Sequence, residues 1–195
     1  MKALKKVVGL CLLLLLPLPA MGESVAWESG AFWQGAAGGL LLHELGHVIT
    51  GVSYGEKPQL NRGSIVYPRN HFTRRSLLHV ASSGFQAQWL FSEVALDALS
   101  KPADAGVLER QHYVGMVSMH LAISAAYLVA LKDMPTSDLY AVSASTGVSR
   151  EQLAWMVMLP AALDGYRLLG EDVPEWVGHL SMGFKGAAMM YVWTF

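Results

Sequence analysis

The chain has 195 residues, enough for one domain with a sizeable core. It is 53% hydrophobic and only 15% charged, against roughly 25% charged in an ordinary soluble domain, and its net charge is −1. That balance argues against nucleic acid or any polyanionic partner, while ten Met and six Trp suit a large apolar interior or a lipid-facing surface.

The chain opens with a basic head, "MKALKK", followed by the apolar run "VVGLCLLLLL" and the break "PLPAMG", in which Ala20 and Gly22 supply small residues for cleavage. The pattern predicts a signal peptide over residues 1–22 and places the remainder, 23–195, as a single domain in a bacterial-type cell envelope, in the inner membrane or the periplasm. Cys11 follows Leu10 rather than a small residue, which makes it a poor lipoprotein cysteine. Removal of the leader leaves no cysteine, hence no disulfide and no thiolate, so any metal must be held by histidines and carboxylates.

Five apolar or helical segments follow, over about 29–53, 76–99, 111–131, 150–169 and 176–194. The connection 54–75 carries Gly, Pro and Asn turn signals, and its "SIVYP" reads as a short strand or hairpin. "TSDLYAVSASTGVSREQL" reads as a polar connection with a helix start near Ser149. The expected fold is therefore an all-α bundle of about five helices with a short β element after the first. Only 111–131 is a full-length run without charge, of the kind that crosses about 30 Å of hydrocarbon. The 54–75 connection is basic, the 170–175 connection is acidic, and Gly35 and Gly39 form a GxxxG pair. These features favour a membrane-embedded bundle over a soluble periplasmic one.

The first segment contains "GGLLLHELGHVITG", residues 38–51. On a helix His43 and His47 project from one face, one turn apart, where two imidazoles can share a Zn²⁺ ion. Glu44 beside them can act as the base that takes a proton from a water acidified by the cation and passes it to a leaving amine. This is the HExxH arrangement of metallopeptidases. Unpaired polar groups in so apolar a setting would cost several kcal/mol each, and a metal offsets that cost. Gly46 leaves room for a neighbouring chain or substrate. Two carboxylates compete for the third ligand position: Asp164 in "LPAALDGYRLL" and Glu93 in "SEVALD", with Asp97 one turn beyond it. His79, His112, His120 and His179 read as core or interface histidines. "GVSYG", 51–55, matches a serine-hydrolase elbow in letters only, because a helix precedes it where the elbow needs a strand; it reads as a helix end.

"HELGHVITG", the "GSIVYP" connection, "SSGFQAQ" and "LPAALDGYR" follow one another in an order that resembles the site-2-protease family of intramembrane zinc metalloproteases. The resemblance implies a zinc endopeptidase acting in or near membrane segments, with His43, His47 and Asp164 as ligands and Glu44 as base. Arg167 and Tyr166 would brace Asp164 or assist the oxyanion, and an edge strand near "SIVYP" would pair with extended substrate. The chain departs from the family before "LDG", where Asn is missing and Pro160 is shifted by one position. A rival resemblance is to the gluzincins, in which Glu93 would be the third ligand and Asp97 would orient a histidine. A third reading is a non-catalytic metal-binding or assembly protein of the envelope. The implied partners are a peptide or membrane-protein substrate and the lipid bilayer.

Overall fold

The computed structural model describes residues 25–61, 64–68, 71–101 and 107–195. The signal-peptide reading of residues 1–22, with Cys11, falls outside them. The described residues form α1 (Gly30–Ser53), β1 (Gln59–Asn61), β2 (Ser64–Val66), α2 (Arg74–Ser100), α3 (Val107–Val129), a 3-10 turn (Leu131–Asp133), α4 (Asp138–Thr146), α5 (Arg150–Leu169) and α6 (Glu175–Thr194). The five expected helical segments are α1, α2, α3, α5 and α6, and the strand expected in "SIVYP" is β2, paired antiparallel with β1 so that Leu60 faces Ile65.

The helix ends follow from local chemistry. α1 stops where Gly55 takes a left-handed φ of 79° and gives its N–H to the Val52 carbonyl at 2.8 Å. Ser53, in the serine-elbow look-alike, spends its hydroxyl on the Thr50 carbonyl at 2.7 Å, as a helix-end serine does. Thr73 caps α2 by accepting the Ser76 N–H, and Ser149 with Gln152 forms a capping box that starts α5 where expected.

α4 is the difference. The stretch read as a polar connection folds into a nine-residue helix, capped by Ser137 and closed by Gly147 at φ 78°. Leu139, Val142 and Ser145 recur every three residues and face inward, but so short a helix presents too few turns for its period to stand out. Its buried side joins α2, α3, α5 and α6 in one cluster containing Leu78, Phe85, Trp89, Tyr127, Leu139, Val157 and Val192. A second cluster, around Phe32, Leu96, Val114, Val117 and Leu168, ties α1 to α2, α3 and α5.

α1 is held between α2 and α3 at van der Waals limits, and glycines set those limits. A Cβ on Gly35 would lie 2.0 Å from the His112 carbonyl oxygen of α3, and one on Gly115 would lie 2.0 Å from the Phe32 carbonyl oxygen of α1. On the other side a Cβ on Gly46 would lie 2.5 Å from the Ser83 carbonyl oxygen, so the neighbour that Gly46 admits is α2 itself. The face of α1 turned away from both is apolar and exposed, as at Leu41 (68%) and Ile49 (60%). Among the described residues one helical stretch, Glu109–Val129, is long and apolar enough to cross a membrane.

Candidate metal centre

The close approach of α1 to α2 buries His43 and His47 against α2, and α2 decides which ring nitrogen carries the proton. His47 Nδ1 lies 2.7 Å from the Val80 carbonyl oxygen, which can only accept, so Nδ1 holds the hydrogen. His43 Nδ1 lies 2.8 Å from Gln88 Oε1 and donates to it in the same way. In the neutral rings Nε2 is then the nitrogen able to coordinate, and the two Nε2 atoms face each other at 3.3 Å. Phe85 packs edge-on against the His43 ring, 5.3 Å between centroids, and fixes its plane.

A third acceptor completes the set. Asp138, the first residue of α4, places Oδ2 3.3 Å from His43 Nε2 and 3.4 Å from His47 Nε2. His43, His47 and Asp138 thus form a group that could hold a metal ion. Their mutual spacing fits one: bonds of about 2.0–2.1 Å directed to three corners of a tetrahedron put the ligand atoms about 3.3–3.4 Å apart. Gly84 of α2 leaves the space open, since a Cβ there would lie 2.4 Å from His47 Nε2 and 2.7 Å from His43 Nε2. Tyr127 donates its hydroxyl to the same Asp138 oxygen at 2.5 Å. Burial pushes the Asp138 carboxyl up, but the charge of His47 and the hydrogen bonds from His43 and His47 more than reverse this and hold it well below the usual carboxylate range.

The two carboxylates singled out in the sequence are elsewhere. Asp164 is fully buried, and its oxygens are saturated. Oδ2 takes Lys185 Nζ at 2.5 Å and Ser92 Oγ at 3.0 Å, while Oδ1 takes Ser181 Oγ at 2.7 Å and Arg167 at 3.1 Å. Glu93 pairs with Arg167 at 2.8 Å and Lys185 at 2.6 Å in the same cluster. Neither joins the histidine pair; the carboxylate delivered there is Asp138. Arg167 does brace Asp164, away from the histidines, and Tyr166 is exposed. Asp97 is exposed and pairs with Lys101 at 2.6 Å. Of the other histidines, His79 is satisfied by Tyr54 and the Val192 carbonyl, and His112 contacts Gln34. His120 is buried beside Gln88, and His179 lines a separate cleft with Arg167 and Glu175.

A cleft of ≈ 590 Å³ opens beside His47 and Asp138, lined also by Glu44, Tyr127 and Tyr67, and by Ile65 and Val66 of β2. Tyr67 is seated against α1, donating to the His47 carbonyl oxygen at 2.6 Å, and it can do so because a Cβ on Gly51 would lie 2.2 Å from its hydroxyl. Burial and then the nearby carboxylates of Glu44 and Glu56 push the Tyr67 phenol up, so it stays a neutral donor at physiological pH. Sequence reasoning missed Asp138 and Tyr127, and it quoted Gly84 and Gln88 within "SSGFQAQ" without giving either a role. The available signal for Asp138 was "PTSDL", a Ser-Asp helix start. Comparison of the chain with protein-family models, with curated proteins and with solved structures finds no match.

Proposed function

We propose that this protein is a zinc-dependent endopeptidase in which His43, His47 and Asp138 hold the metal and Glu44 is the general base. One observation carries the reading. Two imidazole Nε2 atoms and one carboxylate oxygen converge at 3.3–3.4 Å beside a cleft that also contains the Glu44 carboxylate. A positive charge belongs among such groups, a proton on His47 when the site is metal-free and a metal ion when it is filled, and the three-atom spacing suits the ion. Two imidazoles and one carboxylate beside a cleft would hold zinc with the donor set of a catalytic site rather than of a closed structural one. When bound, zinc supplies a Lewis acid that acidifies a water and polarises a carbonyl.

The chain's own residues supply the rest. Glu44, on the cleft wall, accepts the proton of the attacking water on a carboxylate oxygen and returns it to the departing amine. Tyr127 and Tyr67 line the same cleft and spend their hydroxyl hydrogens on Asp138 and on the His47 carbonyl, so they hold the metal-binding groups in place. β2 lies along the cleft, so an extended peptide can run beside Ile65 and Val66. The outer faces of α1, α5 and α6 carry exposed Leu41, Ile49, Trp155, Leu159, Phe184 and Trp193, which supports a bilayer as the surrounding medium and a substrate in or near a membrane segment.

The test is Glu44→Gln in purified protein, with zinc content and cleavage of a library of extended apolar peptides measured together. The expected result is full zinc occupancy with turnover lowered at least about a hundredfold. Wild-type turnover in that variant would remove Glu44 as the base. Zinc bound by neither protein would remove the metal centre.

A further inference from the structure

The Asp164 cluster is too costly a burial to be idle, and it is joined to the metal centre by a path of side chains. We infer that Gln88 and His120 are positioning residues that hold His43 in the one tautomer able to bind a cation through Nε2, with Asp164 anchoring the far end; this rests on the metal reading above.

The direction of every hydrogen bond on the path is dictated. The His120 backbone carbonyl can only accept, and it lies 3.0 Å from Gln88 Nε2. The Gln88 amino group is therefore on that side, where it also donates to His120 Nδ1 at 2.6 Å. Turned over, the amide would set Oε1 against that carbonyl, lone pair to lone pair. With its amino group so held, Gln88 can offer His43 only Oε1, at 2.8 Å, and the His43 proton is confined to Nδ1. His120, accepting at Nδ1, carries its own proton on Nε2, which has no partner within hydrogen-bonding geometry and faces Asp164 Oδ2 at 3.4 Å. Lys185, Ser92, Ser181 and Arg167 keep that carboxylate ionised in place. The result is a single polarity: His43 donates to Gln88 and Gln88 to His120, and the His120 Nε2–H is aimed at Asp164 across 3.4 Å, away from the metal centre.

The choice of an amide suits the setting. A carboxylate at position 88 would also offer His43 an acceptor, but its other oxygen would face the His120 carbonyl lone pair to lone pair, and it would add a negative charge to a buried region. A neutral acceptor fixes the tautomer without that charge.

Two readouts test the role, zinc affinity by competition with a chromogenic chelator and the His43 tautomer by 15N NMR of the metal-free protein. Wild type should show the His43 proton on Nδ1. Gln88→Leu should weaken zinc binding about 10- to 100-fold and move that proton towards Nε2. Gln88→Glu, which keeps an acceptor facing His43 but sets an oxygen against the His120 carbonyl, should keep the Nδ1 proton, with zinc affinity above that of Gln88→Leu and below that of wild type. His120→Phe, which leaves the amide held by the backbone carbonyl alone, should fall between wild type and Gln88→Leu, and it serves if Gln88→Leu does not fold. Unchanged affinity and an unchanged His43 tautomer in Gln88→Leu, or in His120→Phe, would overturn the inference while leaving the metal centre standing. A wild type without zinc removable by His43→Ala would overturn both.

Discussion

Asp138 carries more of the site than its place in a nine-residue helix suggests. It supplies the only negative charge among the three ligand atoms and stands at a helix N-terminus, where an anion is favoured. Asp138→Ala should abolish zinc binding, whereas Asp164→Asn should still bind it, because Asp164 lies outside the triangle; metal content of the two purified variants checks this. The acid limb of stability follows from the same carboxylate. Its folded pKa is depressed below the unfolded value of 3.8, so its contribution is fully present above about pH 4 and is lost as the pH falls below that. Thermal melts of metal-free protein should therefore steepen their decline below about pH 4, and Asp138→Asn should flatten that decline. Gly84 offers a complementary test. Gly84→Ala places a methyl 2.4 Å from His47 Nε2 and 2.7 Å from His43 Nε2, the nitrogens proposed to hold the ion, so zinc binding should be lost while the α2 helix, freed of a glycine, keeps its helicity by circular dichroism.

Helix-to-helix distance, rather than helix formation, is what places the two imidazoles. α1 has apolar residues on nearly every side, so its pattern names no buried face; its glycines do. Gly35 against His112 and Gly46 against Ser83 let α3 and α2 approach backbone to backbone, and the second of these contacts brings Val80 and Gln88 within reach of the histidines. Gly35→Val should force α1 from α3 and cost about 1–3 kcal/mol or more, measured by denaturant unfolding in mild detergent. Its zinc affinity should fall less than its stability, because the ligand contacts are made with α2 and α4. α4 behaves in the opposite sense. It owes its position to Leu139 and Val142 in the main core, and so the third ligand depends on packing contacts rather than on a motif.

The ligands come from α1 and α4, the groups that orient them from α2 and α3, and the cleft wall from β2, so the centre exists only in the assembled bundle. Binding an ion to such a site stabilises the assembly by mass action. Zinc at a hundred times its dissociation constant adds about 2.7 kcal/mol, worth roughly 5–10 °C in a chain of this size. That rise should be reversed by a chelator and absent from a His43→Ala/His47→Ala variant, with scanning fluorimetry as the measurement.

The sequence alone yielded five of the helices among the described residues, the strand after the first of them and the histidine pair with its glutamate, but not α4. These depend on near neighbours: apolar period, caps, turn residues and a one-turn spacing are all settled within a few residues. It did not yield the third ligand. Asp164 and Glu93 sit in apolar runs where a carboxylate demands explanation, and their explanation proved to be Lys185 and Arg167. Asp138 sits in a polar stretch where an acid demands none. Which carboxylate meets the imidazoles is a question of how α4 docks on α2 and α3, 95 residues along the chain from His43, and no local rule reaches that far. Tertiary packing decided it because ligation needs atoms within a few ångströms of one another, and only the closed core brings those atoms that near.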